Sequence, residues 1–600
     1  MCVLGRLLRE LCRHMSESVR GKPRKNPRQH SRHRDSNPRT SQSRRELRQF
    51  IQQGTEPAFK QMRIDDQGLC HRHICQETLD KLVVDFVVNG SHPFSIVEED
   101  SFVRMLQYAA PMKKVLTRRM LATRIEDSFT ELKQRMQDTF RTVQYVTVTA
   151  DCWSSHHRHF LGVMALWLET DNLQRKIATL ACRRMIGNVT YDKLAQTMNS
   201  ILEEYGLHGK VTKVVTDNGS NFVKTFRCFG LDTDDAFEHF EVPNREEREL
   251  HTLLDEGDTG LRLPPHQRCA AHTFKLIATV DASRAEMDPD YRKVSEAVFK
   301  KCSALWSKEG QSARAAGVVK GFCGRYLRRP VPTRWNSLYD SLECIIRVID
   351  EGKDIDGLCR RLNVPVLQRS TDIKFIEEYC KVMQPLCTAL DILLGDKHMF
   401  VGYLLPTVSV VTQRLQYEGM KGQRFCGPLV TALLDGIQRR FEHLMEDKEL
   451  LLAAAVFPHF KISWLTDITR REIVTEMLKK ELCDVSTPAT GTPTTTTSSS
   501  TDDFFAFTRQ SRMVETAEDS ELTKFLRIEE DYPLSRMKEN FPRVHELFLR
   551  VNTAVPSSAS VERLFSSAAD IFTRKRTSLS DTSFEYQLLL KCNSWMTLGK

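Results

Sequence analysis

The apolar positions change period along the chain. From about 65 to 140 they recur at helical spacing. Thr78 to Val88 carries Leu79, Leu82, Val83, Phe86 and Val87, Pro93-Phe94-Ser95 interrupts, a second helix starts near Glu98, and a third runs from about Met120 to Phe140. Then the period shortens. Val146-Thr147-Val148-Thr149-Ala150 is a β-branched run ending at Asp151, and Phe160–Leu168 and Ile177–Cys182 read as further strands. A helix over about Tyr191–Tyr205 leads to a short buried strand, Lys213-Val214-Val215, which ends at Thr216-Asp217. Another helix opens at Gly219. Cys269 to Val280 reads as a strand end running into a helix. From about 290 to 480 the pattern is helical again, with amphipathic stretches such as Asp372–Leu394 and Leu429–Met445. The last block, about 520–600, is helical with turns at Tyr532-Pro533 and Val555-Pro556.

Strands followed by alternating helices and strands predict a mixed α/β sheet. The division that follows is a basic head (1–60), a helical N-terminal region (65–140), an α/β region (141–290) with an acidic surface loop (231–260), an all-helical block (291–485), a Thr/Ser-rich linker (486–505) and a C-terminal helical block (520–600).

Charge and cysteine content sharpen this picture. The chain of 600 residues has a formal charge of +9. Residues 1–50 hold 14 Lys and Arg against 4 Asp and Glu, so the body is close to neutral and the basic character belongs to the head. Residues 1–15 put Val3, Leu4, Leu7, Leu8 and Leu11 on one helical face, which suits a transit peptide, a membrane-surface helix or a short exposed helix. KPRKNPR at 22–28 suits a nuclear-import signal, a phosphate-contacting arm or a solvated tail. No apolar run approaches the ~18 residues needed to span a bilayer. The 17 cysteines are scattered and none has CxxC spacing, as in a reducing compartment, and they give no zinc-finger knuckle. Cys70, His71, His73 and Cys75 sit together but fit no finger spacing.

Three acids stand out by context. Asp151 ends the run VTVTAD, Asp217 ends KVVTD, and Glu562 lies in SSASVERLFSS near the start of a helix. Acids at strand ends face the edge of a sheet where ligands bind. Three carboxylates from distant segments suit two Mg²⁺ or Mn²⁺ ions, which clamp the attacking and leaving oxygens of a phosphoryl displacement. Each acid taken alone is equally an ordinary turn former.

The motifs PFSIVEE (93–99), TADCWSS (149–155), VVTDNGSNF (214–222), RCAAHTFKL (268–276), PTRWNSLYD (332–340) and SASVERLFSSA (558–568) follow one another in an order that resembles the hAT superfamily of cut-and-paste DNA transposases and the zinc-finger BED proteins derived from it. The resemblance runs from about 65 to 595. It implies an α/β, RNase H-like catalytic domain interrupted by the all-helical block, with the C-terminal block completing the core and dimerising. It puts Asp151, Asp217 and Glu562 on the family's catalytic and metal-binding triad. Cys269 and His272 fall on its CxxH motif, where the pair suits support of the acids better than a tetrahedral zinc site. Arg334 and Trp335 fall on its RW motif, where an indole stacks on an unpaired base and a guanidinium holds a phosphate. A buried core Trp beside a surface Arg is the alternative. The family's N-terminal BED finger is missing from the pattern. The expected partners are DNA and a second copy of the chain, homodimer or higher, with no membrane. The expected location is the nucleus.

Two classes of function remain open at this level. One is an enzyme that hydrolyses phosphodiester bonds and transfers strands with two metal ions. The other is a catalytically silent relative that acts as a DNA- or chromatin-associated regulator or a protein-interaction scaffold.

Overall fold

The computed structural model of the chain describes residues 75–231, 261–331, 336–395, 400–484, 517–573, 576 and 579–597. The basic head, the Cys70–His73 cluster, most of the acidic loop, the Thr/Ser-rich linker, Arg334 and Trp335 lie outside these residues.

Three helices open the described chain: α1 (Gln76–Asn89), α2 (Asp100–Ala109) and α3 (Arg118–Thr142). Thr117 caps α3 by accepting from the Met120 amide, and Leu121, Ile125, Leu132, Met136 and Phe140 form its buried stripe. A meander follows: β1 (Val146–Ser155), β2 (Arg158–Leu168) and β3 (Arg175–Met185). After it come α4 (Tyr191–Glu204), β4 (Val211–Thr216) and α5 (Ser220–Phe229). Beyond the undescribed loop come β5 (His266–Arg268) and the short α6 (Ala270–Leu276).

These five strands form one sheet in the order β3-β2-β1-β4-β5. The first three are antiparallel, and β4 and β5 run parallel to β1. Both faces are covered, which explains the sequence of the central strands. β2 is a nearly continuous apolar run. In β1, Val146, Val148 and Ala150 face one core, and the alternate positions Thr147 and Thr149 are buried hydroxyls satisfied by Thr212 and Ser560. On one face, Leu161, Val163 and Ala165 pack with α3, α4 and α5. On the other, Phe160, Met164 and Val215 join a larger core shared with the helical block.

That block holds α7 (Pro289–Gln311), α8 (Ala313–Cys323), α9 (Asn336–Asp350), α10 (Ile355–Leu362), α11 (Lys374–Leu394), α12 (Leu404–Met420), α13 (Gly427–Phe441), α14 (Lys448–Ala455) and α15 (Ile468–Asp484). Asp288 caps α7 through the Asp290 and Tyr291 amides, with Pro289 in the first turn. A π-helical turn, Ile277–Asp281, joins α6 to this block. It places the Asp281 carboxylate, fully buried, against Arg439 (2.9 Å) and Arg440 (2.5 Å) of α13. No helix among the described residues is long and apolar enough to cross a membrane.

The chain returns to the sheet through α16 (Ala517–Arg527), α17 (Pro542–Asn552), α18 (Ala559–Ile571) and α19 (Asp581–Cys592). α18 lies on the β1–β2 face. α19 and the residue after it guard the sheet's open edge. The Asn593 side chain accepts from the Thr179 amide (2.8 Å) and donates to the Thr179 carbonyl (2.9 Å), as a neighbouring strand would. The apolar residues of this block, including Val544, Phe548, Leu564, Phe572 and Leu588, are buried within the chain itself. They supply core.

Candidate active site

Parallel pairing of β1 with β4 ends at Ala150 opposite Thr216. The next residue of each strand is an acid, so Asp151 and Asp217 leave the parallel ladder side by side. β1 does not end there, as its sequence suggests. It continues to Ser155, because β2 keeps pairing with it from Gly162 to Arg158. Each aspartate spends one oxygen on the backbone. Asp151 Oδ1 accepts from the Cys152 amide at 2.7 Å, and Asp217 Oδ1 accepts from the Gly219 amide at 3.1 Å.

The third acid arrives from 345 residues downstream of Asp217, and three devices bring it close. First, Gly162 sits opposite Asp151 in the β1–β2 register, under α18. A Cβ there would come within 2.7 Å of Phe565 and 2.9 Å of Val561. The missing side chain is what lets the helix carrying Glu562 lie on the sheet. Second, Ser560 Oγ and Thr149 Oγ1 share a buried hydrogen bond of 2.9 Å, just before Glu562 in the same turn and two residues before Asp151. Third, Cys269 ties both segments together. Its amide donates to the Thr216 carbonyl (2.8 Å), its Sγ accepts from the Ser558 amide (3.3 Å), and the Ala270 amide donates to the Pro556 carbonyl (2.9 Å). Glu562 stands in the first turn of α18, its side chain about half exposed (49%).

The electrostatics report the convergence. Burial pushes the Asp151 carboxyl up to about 7, with the Asp217 charge next in weight and Glu562 adding to it. The Cys152 amide and the His272 ring oppose this. His272 Nε2 lies 3.9 Å from Glu562 Oε1. The neighbouring Cys269 thiol, then Glu562 and Asp151, outweigh burial and hold the imidazole up at about 9. The Cys269 side chain acts on the ring chiefly as a hydrogen-bonding neighbour and secondly through charge. Burial would raise the Cys269 thiol, but His272 and Ser558 outweigh it and hold the thiol below its ordinary range. His272 therefore lies beside Glu562, with Cys269 next to it, and its ring also bears on Asp151.

The donor set suits a hard divalent ion: three carboxylates, with a like-charge strain on Asp151 that a cation would relieve. Among the described residues, no three His, Cys, Asp or Glu side chains converge at ligating distance of one point. Gly162, Ser560 and Ser558 carried no functional reading in the sequence. For Gly162 a signal was there: one glycine inside an apolar strand marks a close approach.

Comparison with known proteins adds to this geometry. No protein-family model matches the chain. It is distantly similar to a BED zinc-finger protein. Zinc finger BED domain-containing protein 4 of Homo sapiens is 18% identical over 429 residues, or 68% of this chain and 32% of that protein. "Putative transcriptional regulator tpeD" of Talaromyces stipitatus is 22% identical over 212 residues, or 34% of this chain and 22% of that protein. The chain thus spans under a third of the length of either relative, and at these identities the link is loose.

Proposed function

We propose that this protein works on DNA in the nucleus through a transposase-type core, with Asp151, Asp217 and Glu562 as the acids of a phosphodiester-cleaving site. The observation that carries the reading is that Asp151 and Asp217 leave one end of a parallel ladder side by side, with Glu562 near enough for its charge to bear on Asp151. The strand order β3-β2-β1-β4-β5 supports an RNase H-like core, with the helical block inserted between Asp217 and Glu562. The names of the two relatives support a DNA-associated, regulatory setting. The basic head supports import into the nucleus and contact with phosphates.

Asp151 and Asp217 would hold Mg²⁺ or Mn²⁺ through the oxygens not spent on the backbone, and Glu562 would close the ligand set from α18. When bound, such ions supply Lewis-acid stabilisation of the attacking and leaving oxygens. His272, kept protonated beside Glu562, is placed to donate from Nε2 to a phosphate oxygen. Arg334 and Trp335 are proposed to hold the DNA end by phosphate contact and base stacking. A homodimer or higher oligomer, formed through the C-terminal block, is proposed as well. Mn²⁺ titrated into the protein should raise the unfolding temperature of the wild type and not of Asp217→Ala. A wild type indifferent to Mn²⁺ would count against the site.

A second reading is favoured by the regulator named among the relatives: a chain that keeps this core, binds DNA and cuts nothing.

A further inference from the structure

Beyond Ala150, β1 no longer touches β4, yet it stays paired with β2 for five more residues. A two-stranded ribbon therefore rises from the acid pair. At about 3.3 Å per residue it extends roughly 13 Å past Asp151. Its tip is a two-residue turn, His156-His157, and both residues are left-handed (φ 47° and 61°). Turns of this shape favour Asn-Gly, and each non-glycine residue held there costs on the order of 1 kcal/mol. Strain of this kind persists where the side chains are needed.

The chemistry of the ribbon is uniform. From Ser154 to His159 the residues are Ser, Ser, His, His, Arg and His, with no acid among them. His156, His157 and His159 are exposed. The acid that approaches from outside, Asp581, is engaged by Arg158 (2.8 Å) and lies 3.8 Å from Arg184. His156 leans its ring on Phe572. Ser154 Oγ and His159 Nδ1, directly opposite in register, are 2.7 Å apart. With the serine donating, the outer nitrogen of His159 carries the ring's hydrogen and points a donor away from the protein.

We infer that this ribbon is a DNA-backbone contact: His157 and His159 donate to phosphates next to the bond held at the acids. The proposal rests on the reading of those acids as a DNA site. The occupant follows from position and from the exposed hydrogen-bond donors: the ribbon rises directly from Asp151, and a two-stranded ribbon fits a major groove.

The test uses the full chain and a fluorescein-labelled mixed-sequence duplex of about 30 base pairs, with Kd measured by anisotropy from 50 to 300 mM KCl. The double substitution His156→Asn/His157→Gly installs the favoured turn, so Tm should hold or rise while affinity falls about three- to tenfold. Because a neutral imidazole donor displaces no counterion, the slope of log Kd against log[KCl] should stay close to that of the wild type while affinity falls at every salt concentration. His159→Ala, on a strand where folding does not depend on turn chemistry, should act in the same direction. Unchanged affinity in both variants, beside a wild type that binds, would overturn the ribbon proposal and leave the acid site standing. A wild type that binds no duplex would overturn both.

Discussion

Gly162→Ala is the sharpest local perturbation of the acid site that leaves every acid in place. The added methyl would sit 2.7 Å from Phe565 Cε1 and 2.9 Å from Val561 Cγ2, both on the helix that carries Glu562. Ordinary carbon–carbon contacts are about 3.5–4.0 Å, so the helix must lift by roughly 1 Å. Overpacking of this size costs about 1–3 kcal/mol. Replacing a strand glycine returns about 0.5–1 kcal/mol of backbone entropy, so the net loss of stability is about 0–2.5 kcal/mol. Function should suffer more, since a 1 Å misplacement of a catalytic group costs about a hundredfold in rate. Urea unfolding gives the first number, and metal-dependent nicking of plasmid DNA gives the second. Gly317→Ala is the control, because a Cβ there meets open space on α8. It should be neutral or stabilising by up to about 1 kcal/mol. A Gly162→Ala protein that nicks at the wild-type rate would refute the idea that this glycine sets the height of α18.

Three further outcomes follow from the same structure. Asn593→Ala removes two buried hydrogen bonds from the β3 edge and leaves the Thr179 amide and carbonyl bare. It should cost about 2–4 kcal/mol by denaturant unfolding and promote aggregation. Asp281→Ala removes the buried carboxylate that Arg439 and Arg440 share, and should cost about 1–3 kcal/mol. The Asp151 carboxyl lies at about 7, above its ordinary value near 4, so the folded protein holds a proton there that the unfolded chain releases. Without divalent ions, stability should therefore fall as pH rises from about 4 through about 7, by at most about 4 kcal/mol. Asp151→Asn should flatten that slope in unfolding curves taken at pH 5 and pH 8.

Much of this was legible in the sequence. The strands and helices fall where the period changes, because a sheet covered on both faces leaves β-branched and apolar runs that the flanking helices do not share. Asp151 and Asp217 were visible because each follows such a run. The continuation of β1 to Ser155 was not, because DCWSS is polar and its pairing is dictated by β2, across the turn. The contact of His272 with Glu562 joins segments 290 residues apart, and local pattern carries no trace of it. The C-terminal apolar residues supply core, because α17 to α19 close the helical block and the sheet edge of their own chain.

The measurement that bears most directly on the central claim is nicking of supercoiled plasmid by the purified protein with Mg²⁺ or Mn²⁺, beside Asp217→Ala. The account predicts metal-dependent nicking by the wild type and none by the variant, with both proteins still binding the plasmid. Equal inertness of the two, with DNA binding intact, would contradict it and leave a DNA-associated protein whose three acids no longer cut.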